Sequence, residues 1–260
     1  MKLSCVMTHK GKILDLEDFF NALMDYNVFF VGEQHGSPVS HRAELTILAE
    51  FSERDSSLVL ALEMFERDVQ DILDAYLQGK IPEDEFLERA RPWPNYNEDY
   101  RSLVELAKRK GIRVIAANIP RRAAAAVALA NEISPEVLGM DSAYIPNSFH
   151  LDSKEYYERF LTTVETMSNR TPMKRIKTEA LFKAQILKDA VMADSLNALL
   201  DRRILFCCGN FHSDYHLGIP YQLKKNHPEL RIAVITFASY VGELPMKDRS
   251  RIGDFIWLEE

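Results

Sequence analysis

Five runs of apolar residues constrain this chain more than any other feature. They are residues 27–32 (NVFFVG), 58–65 (LVLALEMF), 113–118 (RVIAAN), 204–209 (ILFCCG) and 231–237 (RIAVITF). A run apolar at successive positions has no solvent face, and its length is that of a strand. Both properties point to strands buried on two sides, as in a parallel sheet. Between the runs lie helical patterns, at about 40–51, 66–78, 83–90, 99–109, 121–131 and 173–200, the last read as one long amphipathic helix. Residues 4–8 read as a further short strand, followed by a helix through Phe19, Phe20 and Leu23. The alternation predicts an α/β fold, with a mostly parallel central sheet flanked by helices. Only 132–172 breaks it, and we expect there an additional helical insertion or lid on a single domain spanning 1–260.

Composition removes several function classes. Against 39 Asp and Glu stand 32 Lys and Arg, a net charge of −7. A nucleic-acid partner calls for a cationic field that displaces phosphate counterions, which argues against one here. No run approaches the roughly 18 apolar residues of a spanning helix, so an integral membrane protein is not expected. Cys5, Cys207 and Cys208 make no disulfide framework, and the adjacent pair reads as small buried hydrophobes. Met1 to Cys5 (MKLSC) is like the tail of a lipoprotein signal without its apolar stretch. The expectation is a cytoplasmic protein, or an exported lipoprotein if an export signal has been removed.

In open α/β sheets, ligands bind beyond the carboxyl ends of the strands. The first run delivers Glu33 and His35 there, the second Glu63, the third Asn118 and Arg121, and the fourth Asn210 and His212. Glu33 and His35, two apart in extended chain, point the same way. Imidazoles and carboxylates converging on one edge suit zinc, iron or manganese, or a general base on bound water. The plainer alternatives are equally concrete: Glu33 capping the next helix, Glu63 pairing with Arg67, and His212 as a satisfied core residue. His41 could add a ligand or sit solvated. Arg121 and Arg122 at a helix start could clamp an anion. Trp93, Tyr96 and Tyr100 could wall a flat apolar pocket, or simply pack. Gln70 and Gln185, with neighbouring Asp71 and Asp189, read as solvated helix surface.

Several of these motifs occur in order. Gly32-Glu33-Gln34-His35 with His41, Glu63-Met64-Phe65 with Gln70, and Trp93 with Tyr96 and Tyr100 resemble the ChaN-like haem-binding uptake family. Ala116 to Arg121 (AANIPR), Gln185, Asp189, Gly209-Asn210-Phe211-His212 and Gly218-Ile219-Pro220 continue the likeness, over roughly residues 10–225. The family sits in the Tiki superfamily, beside TraB-like proteins, Tiki proteases and erythromycin-esterase-like hydrolases. The resemblance implies haem as ligand, a role in haem or iron uptake or handling, and a homodimer. It also implies a tyrosine phenolate on ferric iron, with Tyr156 and Tyr157 of the insertion ahead of Tyr144, and cations on the propionates. Phe211 stands where the family often has glycine.

Two functions of different class follow. One is a haem or iron carrier roofed by the 140–160 segment. The other is a metal-dependent hydrolase using Glu33, His35, Glu63 and His212. A buried structural polar cluster is the third possibility.

Overall fold

Successive residues of each apolar run face opposite sides of one sheet, and both sides are covered. Phe29, Val31, Leu60, Leu62, Leu205 and Cys207 lie in one core layer. Their neighbours Val28, Phe30, Val59, Ala61, Phe206 and Cys208 lie in the other. This alternation is why the runs carry no polar face. The chain is known here from a computed structural model, which describes residues 5–168, 177–238 and 246–258.

The strands are β1 (Cys5–Thr8), β2 (Ile13–Leu14), β3 (Val28–Glu33), β4 (Val59–Glu66), β5 (Arg113–Asn118), β6 (Ile204–Gly209), β7 (Ile232–Ala238) and β8 (Phe255–Leu258). Their order in the sheet is β2-β1-β8-β7-β3-β6-β4-β5. From β8 to β5 every pair is parallel, and only β1 runs antiparallel to its neighbours. The mostly parallel α/β sheet expected from the sequence is therefore the observed one. β8 and β2 have no counterpart among the five runs.

Five helices cover the first layer: Leu16–Leu23, Pro38–Arg54, Gln70–Leu77, Glu83–Ala90 and Arg101–Lys110. Side-chain oxygens of Asp15 and Ser37 accept from Asp18 and Ser40 amides, which fixes where the first two begin. The opposite layer is built from Arg121–Ala130, Thr178–Asp194 and Ile219–Asn226. Thr178–Asp194 corrects the amphipathic expectation for 173–200. It packs on the sheet and on the Arg121–Ala130 helix, so its buried residues run almost all round. Residues 169–176 lie outside the described residues, including the end of the expected insertion. The regular elements described in that insertion are helical, Pro135–Leu138, a 3₁₀ segment Gly139–Tyr144, and Lys154–Ser168, with irregular chain over 145–153. Among the described residues, no helix is long and apolar enough to cross a membrane.

Gln70 is not solvated surface. Its amide nitrogen donates to Val114 O at 2.9 Å, and its oxygen accepts from Ala116 N at 2.8 Å. The side chain thus stands in for a further strand along β5, the edge of the sheet. Gln70→Ala is expected to cost about 1–2 kcal/mol, because two strand groups lose their partner. Thermal melting checks this, and a change within a few tenths of a kcal/mol would show the contacts to be incidental.

Candidate functional site

Four strand-end residues meet at the carboxyl edge where β3, β6 and β4 lie side by side. Glu33 ends β3 directly opposite Gly209, which ends β6. β4 pairs with β6 only as far as Leu62, and its register against β5 shifts between Leu62 and Glu66. A bulge of that kind re-aims a side chain. Glu63, inside it, turns its carboxylate to accept the Gly209 amide at 2.8 Å. Gly209 also admits His35, since a Cβ there would stand 2.8 Å from His35 Nε2 and 3.6 Å from Glu63 Oε2. Gly32 plays a similar part beneath the loop, where a Cβ would meet Ser213 Oγ at 2.6 Å.

The residues group around two buried carboxylates. Glu33 Oε1 accepts from His35 Nδ1 at 2.6 Å and from the Tyr100 hydroxyl at 2.6 Å. Glu33 Oε2 lies 3.2 Å from His41 Nδ1, which also contacts Glu44 Oε2 at 3.1 Å. Burial pushes the Glu33 carboxyl up, but hydrogen bonds from His35 and Tyr100 and the close approach of His41 and Glu44 outweigh it and hold it at about 2. His41 is depressed by burial yet raised further by Glu33 and Glu44, to about 10. Glu44, fully buried and facing the Glu33 charge, is raised well above the carboxylate range.

The second carboxylate is Glu63, whose Oε1 lies 3.3 Å from His212 Nε2. His212 Nδ1 contacts Asp189 Oδ1 at 2.5 Å, and Asp189 Oδ2 accepts from the Tyr156 hydroxyl at 2.7 Å. Gln185 donates to that same hydroxyl at 3.0 Å and lies 3.1 Å from His212 Nδ1. Burial opposes charge on Glu63, but the His212 charge beside it brings it down to about 2. Burial likewise opposes charge on His212, and Glu63 and Asp189 raise it to about 10. His212 is thus an imidazolium with both nitrogens engaged. His35 differs: half exposed, it has Nδ1 fixed by Glu33 and is raised above the usual range mainly by that bond. A carboxylate-oriented imidazole open to solvent can act as a general base or offer Nε2 to a ligand.

The structure distributes the other expected residues differently. Trp93 packs edge-on against His35, with ring centroids 5.1 Å apart, and so walls the site. Tyr96 instead sits in the core against Phe65 and Phe86, because the apolar interior behind β4 needs filling there. Tyr156 is buried, stacked on Phe211 at 5.1 Å. Tyr157 packs on Phe182, and Tyr144 lies under the Arg67 guanidinium, neither beside the carboxylates. Arg67 pairs with Asp194 rather than Glu63. Arg122 bridges Asp68 and Asp141, while Arg121 stays exposed near Glu66. Glu33, His35, Glu63 and His212 do not form one tight donor set: among the described residues, the ligand-type side chains with donor atoms all within 4.8 Å are Glu33, His41 and Glu44.

Reading the sequence missed Glu44 and misjudged Asp189. Both could have been found from their surroundings. Glu44 falls three residues after His41 on the helix face that also holds Ile47, Leu48 and Phe51, and Asp189 interrupts the apolar sequence Ile186, Leu187, Ala190, Val191. A charged residue on a buried face implies a partner.

Beside this site runs an apolar groove of about 430 Å³, between the Arg121–Ala130, Lys154–Ser168 and Thr178–Asp194 helices. Ala124, Ala128, Phe160 and Leu181 line it, with Arg121, Lys188 and Gln185 as its polar members.

No curated protein matches the chain. Among solved structures, it is similar to ChaN of Campylobacter jejuni, solved as a cofacial haem complex. That likeness has 20% identity over 100% of this chain and 98% of the other, with a TM-score of 0.78. An erythromycin esterase mutant, EreC in its open conformation, is similar at 13% identity over 97% of each chain, with a TM-score of 0.56. A Bacillus cereus protein is similar at 16% identity, over 87% of this chain and 69% of that one, with a TM-score of 0.51. At these identities the likeness concerns the fold. The model of the family of haem-binding uptake proteins, Tiki superfamily, ChaN, matches residues 19–223, and the chain belongs to that family.

Proposed function

We propose that this chain binds haem in the groove beside the carboxylate site and serves in haem or iron uptake or handling. The observation that carries the reading is that the family match, residues 19–223, includes all three helices that make the groove. The groove's chemistry supports it. Alanines admit a flat ring, Phe160 and Leu181 supply apolar faces, and Arg121 and Lys188 suit two propionates. Bound haem supplies a ferric iron that needs an axial donor. Of the three insertion tyrosines, Tyr156 fits that part best, because its hydroxyl is held by Gln185 of the groove; burial and the Asp189 charge push that phenol up, so the cation of the ferric iron is what would draw off its proton. Tyr156 is buried, so the Lys154–Ser168 helix would act as a lid that shifts to admit the ring. Two copies of the chain, as the family resemblance implies, belong to the same proposal.

Hemin titration followed in the Soret region tests it. Binding should weaken about tenfold for each of Arg121→Glu and Lys188→Glu, the loss of one charge-assisted contact apiece. Tyr156→Phe should shift the ferric spectrum. No Soret change in the unmodified protein would overturn the reading.

His35 favours a second reading, a hydrolase. Its imidazole is oriented by Glu33, is half exposed, and lies beside the cationic His212. Hydrolysis of an ester probe, lost in His35→Ala while hemin binding persists, would support that activity.

A further inference from the structure

We propose that Glu33, His41 and Glu44 form a site for one divalent transition-metal ion, set behind the strand-end cluster and independent of haem. Glu33 closes β3, while His41 and Glu44 stand one turn apart on the inner face of the Pro38–Arg54 helix. All three are buried, and a donor atom from each lies within 4.8 Å of the others. His41 and Glu44, three apart, lie on one face of the helix, so both side chains reach the end of β3 together.

The internal distances fit an ion. Donors bound at about 2.0–2.1 Å around a tetrahedral centre stand roughly 3.3 Å apart. His41 Nδ1 is 3.2 Å from Glu33 Oε2 and 3.1 Å from Glu44 Oε2. Hydrogen bonding does not account for the whole arrangement. Glu33 Oε2 and Glu44 Oε1 are both buried without a hydrogen-bond partner, although the Glu33 oxygen lies so close to the ring nitrogen. Two buried carboxyl groups face one imidazole, an arrangement that needs either a shared proton or a cation among the three. An ion there gives the unpartnered Glu33 oxygen a partner.

The surroundings are those of a ligand shell. His41 Nε2, itself buried without a hydrogen-bond partner, lies 3.4 Å from Asp99 Oδ2, so a carboxylate stands behind the imidazole within a small shift of the contact that orients metal-bound histidines. Asn95 holds Asp99 in turn, at 2.6 Å. The other oxygen of Glu33 is occupied by His35 and Tyr100, which fixes the carboxylate plane. One nitrogen and two carboxylates suit zinc, iron(II) or manganese(II). The competing arrangement is a proton shared among the three side chains in place of the ion.

The test uses the full chain after chelator dialysis, titrated calorimetrically with zinc alone and with manganese alone, with elemental analysis of the product. One ion per chain is expected. Glu44→Gln should lower affinity at least a hundredfold. Asp99→Asn, which leaves the three ligands in place, should lower it roughly 10–100-fold. Glu63→Gln should leave the stoichiometry at one. If the unmodified chain takes up neither ion and Glu44→Gln melts higher, the shared proton is correct and the metal site is overturned. An ion lost in Glu63→Gln but kept in Glu44→Gln would place it in the strand-end cluster and overturn the proposal equally. None of these outcomes depends on whether hemin binds.

Discussion

Replacing His212 by alanine is expected to destabilise the protein by about 3–5 kcal/mol, the scale seen when one partner of a buried ion pair is removed. The imidazolium lies between Glu63 and Asp189, both buried, at 3.3 and 2.5 Å. Without it Glu63 keeps the Gly209 amide and Asp189 keeps the Tyr156 hydroxyl, and neither supplies a positive charge. At roughly 2–4 °C per kcal/mol for a chain of this size, melting should fall by roughly 6–20 °C. This exceeds the loss of about 1–3 kcal/mol expected for an uncharged core histidine losing one hydrogen-bond partner. A variant that melts with the unmodified protein would show that the histidine does not hold the two acids together.

The effect should depend on pH in a defined way. His212 is raised in the fold from 6.5 to about 10, so its contribution is whole below 6.5 and is lost as pH rises through 10. Glu63 is lowered from 4.5 to about 2, so its contribution is whole above 4.5 and is lost as pH falls through 2. The unmodified and alanine proteins should therefore differ most between about pH 4.5 and 6.5, and converge on either side. A constant difference across pH would remove the electrostatic cause. The double variant with Glu63→Gln should recover part of the loss, since it deletes one stranded charge.

Gly218→Ala is expected to be comparably damaging for a different reason. Gly218 has φ +60°, and a Cβ there would stand 2.4 Å from His212 O and 2.9 Å from His212 C. The obstructing atoms are backbone, so no rotamer change relieves the contact. A strained φ costs about 1–3 kcal/mol by itself, and the displaced main chain adds to it, for about 3 kcal/mol or more. Gly36→Ala is the control. Its φ is +74°, but nothing lies within 4 Å of its added Cβ, so only the conformational cost applies, about 1–2 kcal/mol. Equal melting of the two variants would mean that the close approach to His212 does not matter. Gly218→Ala should also weaken whatever the strand-end cluster binds, because the obstructing carbonyl belongs to His212 itself.

The two-faced burial that made Phe29 and Phe30 both apolar is what made β3 readable in the sequence, and the same holds for β4 to β7. β8 escaped because four residues, FIWL, are too short to distinguish from any apolar cluster. Strand order escaped for a deeper reason: nothing local in ILFCCG indicates that it pairs with both β3 and β4. At the site, strand ends are predictable places, so Glu33, Glu63 and His212 could be found one by one. Which partner each of them takes could not, because Asp189, Glu44 and Tyr100 arrive from helical segments, and a charged residue on an apolar helix face announces that it has a partner without saying which. The same limit explains Tyr96, which looked like a pocket wall and turned inward against Phe65 and Phe86.

The place of β6 between β3 and β4 has a consequence for synthesis. The ribosome makes β3 and β4 well before Ile204–Gly209 emerges. Until then β3 has neither of its neighbours, β6 and β7, and β4 has only β5, so both strands present bare edges of amide and carbonyl groups. Pairing β3 directly with β4 would take the place of β6 in error, bringing Glu33 beside Glu63 with no slot left for Gly209 or His212. The nascent chain must keep two adhesive edges apart while it waits for the strand that belongs between them. Long-range closure of this kind is slow and exposes the chain to intermolecular strand pairing.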